Sequence, residues 1–159
     1  MKIEWQTVLF SAIASTTVLF GIYADFFLSH KAYQINASHF ITYESNREIV
    51  GFFANQNFPF IFLFTVITIP IGLTGLLYFY QQHKTAFYRK EYIGCIILFV
   101  YSLTVTRISA GLTWFGDTRD MMTAFQSLSY ILLGIIICLL YIISKEAKRN
   151  ETLSKNVSG

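Results

Sequence analysis

The sequence predicts an all-α membrane protein: a bundle of four transmembrane helices with an interfacial segment in the first outer loop. Three observations lead there. Hydrophobic residues make up 54% of the 159-residue chain and charged residues only 13%, whereas a soluble domain carries about 25% charged residues. The apolar residues gather into four runs, each near the roughly 20 residues that a helix needs to cross about 30 Å of hydrocarbon. Lysines and arginines stand between and beyond those runs, with Arg107 the exception. A soluble helical bundle is the alternative, and the apolar excess argues against it. The basic residues form no stripe on a soluble face, so nucleic acid is excluded and the lipid bilayer is the first partner to expect.

The first span is expected at about residues 8–28. It follows Met1-Lys2-Ile3-Glu4 and has no clean small-residue cleavage site, so it is expected to persist as a span rather than be removed as a signal peptide. Ser11, Ala14, Ser15, Thr17 and Gly21 give it a small-residue face, which lets helix backbones approach closely in lipid. Thr17, Gly21 and Asp25 recur every four residues and share a stripe. The outer loop, about residues 29–57, is too apolar for a free linker; Ile49, Val50, Phe52 and Phe53 predict a short helix lying in the interface.

The second span, at about 58–80, carries Pro70 near its middle. Proline removes one helical hydrogen bond and kinks a helix, which either opens a cavity or fits a neighbour. The third and fourth spans are expected at about 92–112 and 123–143. Each must be helical, because unpaired backbone groups find no water in lipid. Residues 1–144 thus form one membrane domain, and the polar residues 145–159 are expected to be a disordered cytoplasmic tail.

Charge placement orients the spans. Lys2, Lys84, Arg89, Lys90, Lys145, Lys148, Arg149 and Lys155 fall on one side; Lys31, Arg47 and Arg119 fall on the other. Positive residues favour the cytoplasm, which predicts a multi-pass protein of the cell membrane with both termini cytoplasmic. Cys95 and Cys138 lie in apolar runs without a CxxC and are expected to be buried, inert thiols.

Ionisable groups inside spans are expensive and mark sites. Asp25 and Arg107 lie in parallel spans at similar depth, so an ion pair is expected between them. Glu44 and Asn46 in the outer loop complete a candidate polar cluster of Asp25, Glu44, Asn46 and Arg107, with Glu48, Thr113, Trp114, Asp117, Arg119 and Asp120 at the same level. His30 and His39, with Asp25 and Glu44, are ligand types suited to zinc, copper or iron, although their spacing is no recognised metal motif; the cofactor stays unassigned. Asn36-Ala37-Ser38 is a glycosylation sequon on the outer side. Neither Gly-x-Ser-x-Gly nor HExxH occurs, so nucleophilic and zincin-type hydrolysis find no footing, while Asp25 and Glu44 offer an acid–base pair.

Asp25 near the end of the first span and Phe40-Ile41-Thr42-Tyr43-Glu44-Ser45-Asn46 before the second resemble a family of small, uncharacterised four-helix prokaryotic membrane proteins. That family has an aspartate in its first helix and a Glu-x-Asn-Pro motif before its second. Glu44-Ser45-Asn46 matches, and Arg47 stands where the family has proline. The resemblance covers about residues 21–80 and implies that Asp25, Glu44 and Asn46 form one site; it implies no activity.

Without a catalytic motif or a soluble domain, the expected function is that of a non-catalytic small subunit or accessory component of a membrane complex, with other membrane subunits or further copies of itself as partners. The alternatives are a membrane enzyme or metal-site protein acting at the outer leaflet through Asp25, Glu44 and Arg107, and an oligomeric carrier or channel for a small solute.

Overall fold

The computed structural model describes residues 5–44, 47–55, 60–83 and 88–157. These form six helices: α1 (Trp5–Ile35), α2 (Ala37–Tyr43), α3 (Arg47–Asn55), α4 (Phe60–Gln82), α5 (Arg89–Leu112) and α6 (Arg119–Val157). The protein is all-α, and four of its helices are long and apolar enough to cross a membrane. α1 continues beyond residue 28 because Ser29 and Ala32 still turn inward and are buried. α6 runs helically to Val157, through residues expected to form a disordered tail. Lys145, Glu146, Ala147, Lys148 and Arg149 are good helix formers, and they extend a helix that the span has already nucleated.

α1 and α5 lie side by side at the centre, with α4 against α1 and α6 against α5. The central contact is built on small residues. A Cβ on Gly21 would sit 3.0 Å from the Thr104 carbonyl oxygen, and one on Gly111 would sit 3.0 Å from the Asp25 Cα. The two backbones therefore touch, which maximises van der Waals contact where lipid supplies no hydrophobic drive between helices. Ser11, Ala14, Ser15 and Val18 continue this buried face.

Neighbouring helices are also tied by side-chain hydrogen bonds. The Ser11 and Thr74 hydroxyls lie 2.7 Å apart between α1 and α4. Thr104 Oγ1 donates to the Thr17 carbonyl at 3.3 Å between α5 and α1. The Ser102 and Ser129 hydroxyls lie 2.8 Å apart between α5 and α6. The buried Tyr92 donates its hydroxyl to the Leu76 carbonyl at 3.0 Å between α5 and α4. Such bonds contribute about 0.6 kcal/mol each inside a membrane, so they set register more than they stabilise.

The flanking helices bury only one stripe each. α6 buries Ser129, Leu132, Ile136 and Ile143, a helical spacing, and exposes Tyr130, Ile131, Ile137 and Tyr141. On α4, Leu73, Leu77 and Gln81 are buried and all follow Pro70. None of the described residues of α4 before Pro70 is buried, and Leu63, Phe64 and Ile67 are exposed. Pro70 donates no backbone hydrogen bond, and the packing of α4 changes at that residue. Among the described residues α4 and α6 have little contact with each other. The expectation of two buried thiols is corrected: Cys95 is half-buried, and Cys138 is exposed on the outer face of α6. A cysteine in an apolar run is buried only if its position falls on the packed stripe.

Candidate functional site

The site lies at the end of the bundle where α1 and α5 finish and α6 begins, under α2 and α3. Asn36 opens α2: its side-chain oxygen accepts the His39 N–H at 3.0 Å, one of the helix-end donors that a cap satisfies. At the other end of α2, the Glu44 N–H donates to the Phe40 carbonyl at 2.8 Å, and Glu44 itself adopts an extended backbone that leads the chain away. The sequon asparagine is thus the N-cap of α2, with an exposed side chain.

Aromatic rings seat these short helices. Phe40 is 0% exposed and packs on Tyr33 at 5.8 Å, Phe53 at 5.6 Å and Trp114 at 4.7 Å between ring centroids. Phe53 also meets Phe26 at 5.1 Å and His30 at 5.1 Å, and Phe52 meets Phe26 at 5.4 Å. The helix expected around residues 49–53 is present as α3, with Phe52 and Phe53 turned onto α1. Trp114, in the turn after α5, packs against Phe40.

Beneath this cover is a cavity of about 480 Å³. Ile22, Phe26, Ile49, Ala110 and Met122 supply its apolar wall. Asp25, Glu44, Glu48, Arg107 and Arg119 supply charges of both signs, and Ser29, Tyr43, Thr65, Thr113 and Trp114 add polar groups. Asp25 and Arg107 meet there, with Arg107 Nη1 3.7 Å from Asp25 Oδ2. The Asp25 side chain is 23% exposed and that of Arg107 51%. Charge-assisted hydrogen bonds run at about 2.7–2.9 Å, so this is a loose pair that leaves donor capacity on the guanidinium.

The structure thus brings Asp25, Glu44 and Arg107 to one cavity, while Asn46 lies outside the described residues. Glu48, Trp114 and Arg119 line it too; Asp117 and Asp120 are exposed and do not. His30 and His39 are absent from the cavity wall: His30 packs at a tilt on Phe53, and His39 packs at a tilt on Tyr43 and edge-on to Trp114. Among the described residues no group of three or more His, Cys, Asp or Glu is placed to hold a metal ion. Sequence reasoning missed Ser29, Tyr43, Thr65, Ala110 and Met122. Ser29 had a signal, lying four residues beyond Asp25 on the same stripe; Thr65 and Met122 had none, because each reaches the cavity only through the placement of α4 and α6.

The pair's openness bounds its energy. Exposed ion pairs contribute up to about 1 kcal/mol, and this one is partly screened. Asp25→Asn and Arg107→Gln are each expected to destabilise by about 1–2 kcal/mol, and a double-mutant cycle on the detergent-solubilised protein is expected to give a coupling of about 1 kcal/mol. Strict additivity would mean that the two charges do not interact.

No family model, curated protein or solved structure matches the chain. The residues of the site are therefore the ground for its function.

Proposed function

We propose that this chain is a multi-pass protein of the cell membrane whose cavity binds a small amphipathic molecule at the outer leaflet. The observation that carries this is the make-up of the cavity wall, an apolar floor beside charges of both signs within about 480 Å³. Small-molecule sites span about 300–1,000 Å³ and combine an apolar lining with a few polar groups. Intramembrane charges are retained where they serve a site or a polar cavity. Purification in mild detergent followed by mass spectrometry is expected to find a small molecule at one per chain. Ala110→Phe, which fills the cavity from α5, is expected to remove it while leaving the helix content unchanged. A bound molecule that survives Ala110→Phe sits elsewhere and ends this reading.

The outer placement rests on the charge asymmetry, with both termini cytoplasmic. Cysteines at the exposed positions Ser38 and Lys90 test it. In a background lacking Cys95 and Cys138, an impermeant thiol reagent applied to intact cells is expected to label Ser38→Cys and spare Lys90→Cys. The reverse pattern overturns the orientation.

A second reading, an accessory subunit of a membrane complex, draws on α6, which among the described residues packs chiefly on α5 and leaves apolar side chains on its other faces. The same purification separates the two. Stoichiometric copurifying polypeptides favour the subunit; a lone chain with its small molecule favours the cavity.

A further inference from the structure

Resting on that reading of the cavity, we infer that the molecule it takes carries a zwitterionic amine–phosphate head, the chemistry of a phosphoethanolamine lipid. Apart from Asp25, which faces Arg107 from α1, the charges around the cavity are sorted by element. Arg107 and Arg119 come from α5 and α6, while Glu44 and Glu48 come from the end of α2 and from α3. A guanidinium fork matches phosphate oxygens, and carboxylates accept from a primary ammonium. A purely anionic head would meet the carboxylates of the cover, and a purely cationic head the guanidinium groups of the wall. A head bearing both signs meets its complement on each side.

Arg107 adds a geometric reason. Its contact with Asp25, at 3.7 Å, leaves its N–H donors able to take an oxyanion, and its side chain is half exposed on a span-length helix. Thr65 of α4 and Met122 of α6 flank the cavity, and these two helices have little contact with each other among the described residues. Acyl chains passing between those two helices would reach the bilayer while the head stays under α2 and α3.

Trp114 lines the cavity, and the other tryptophan, Trp5, is exposed at the far end of α1. Trp5→Phe therefore leaves Trp114 as the reporter. The full chain in detergent would be titrated with short-chain phosphatidylethanolamine, with short-chain phosphatidylglycerol (the same phosphate without the amine) and with free phosphoethanolamine. The ethanolamine lipid is expected to shift Trp114 emission saturably, at a concentration at least about tenfold lower than the glycerol lipid. Arg119→Gln, at an exposed position where the fold does not depend on it, is expected to weaken both lipids by roughly tenfold. Glu48→Gln is expected to abolish the preference for the amine. Binding of free phosphoethanolamine as tight as that of the lipid would assign the head to a soluble molecule; tighter binding of the lipid assigns the membrane as its source. Equal affinity for the two lipids, or indifference to Arg119→Gln and Glu48→Gln, overturns the inference. If Trp114 responds equally to any amphiphile, such as an alkyl sulfate, the cavity stands and the head assignment falls. Silence toward all of them removes both.

Discussion

Gly111→Leu is expected to destabilise the protein by about 3 kcal/mol, at the upper end of what overpacking costs. A Cβ at this position would lie 2.9 Å from Leu28 Cδ1 and 3.0 Å from both Leu28 Cβ and Asp25 Cα. The Leu28 δ-carbon can rotate away, but the Asp25 Cα is backbone and moves only if α1 moves. The substitution thus separates the central helices and carries Asp25 away from Arg107. Thermal or denaturant unfolding in detergent reads the first effect, and loss of the cavity-bound molecule reads the second. Gly134→Leu on α6 is the control, because a Cβ there meets nothing within 4 Å; it is expected to stay within about 0.5 kcal/mol of the parent. Equal effects of the two substitutions would mean that α1 and α5 do not meet at Gly111.

Phe40→Ala is expected to destabilise the seat of α2 and α3 by about 3–5 kcal/mol, the range for emptying a buried phenylalanine site. Phe40 is 0% exposed and touches Tyr33, Phe53 and Trp114, so its ring joins α1, α2, α3 and the turn after α5. The loss is local, because the contact between α1 and α5 at Gly21 and Thr104 does not involve Phe40. Hydrogen exchange is expected to accelerate across residues 37–44 and 47–55 while the spans keep their protection. Trp114 emission is expected to shift to longer wavelength as water enters beside the indole. Unchanged exchange in α2 and α3 would show that the cover is held by other contacts.

The four spans were legible because apolar length is a local property. A run of about 20 apolar residues calls for lipid whatever its neighbours do. The meeting of Asp25 and Arg107 was legible for a related reason. Depth along parallel spans is a one-dimensional quantity that residue counting approximates, and the small residues from Ser11 to Gly21 pointed to a close helix contact. Span ends were less legible. Ser29, His30 and Lys31 read as the start of a loop, yet α1 continues to Ile35, because Ser29 and Ala32 have a packing surface that polarity alone does not reveal. The tail past Ser144 likewise read as disordered because it is polar, while its good helix formers continue α6.

By itself, then, the sequence determined the fold class, the number of spans and the depth of the two intramembrane charges, since each follows from hydrophobic length and position along one helix. The tertiary structure decided which polar residues share a cavity. Glu44 and Glu48 share a cavity with Asp25 because Phe40 and Phe53 seat α2 and α3 over α1. His30 and His39 turn to aromatic partners through the same packing. Thr65 and Met122 line the same cavity although, among the described residues, α4 is buried only beyond Pro70 and α6 packs chiefly on α5. These are contacts between residues far apart in the chain, set by how rings and backbones fit together, and no periodicity within one segment encodes them.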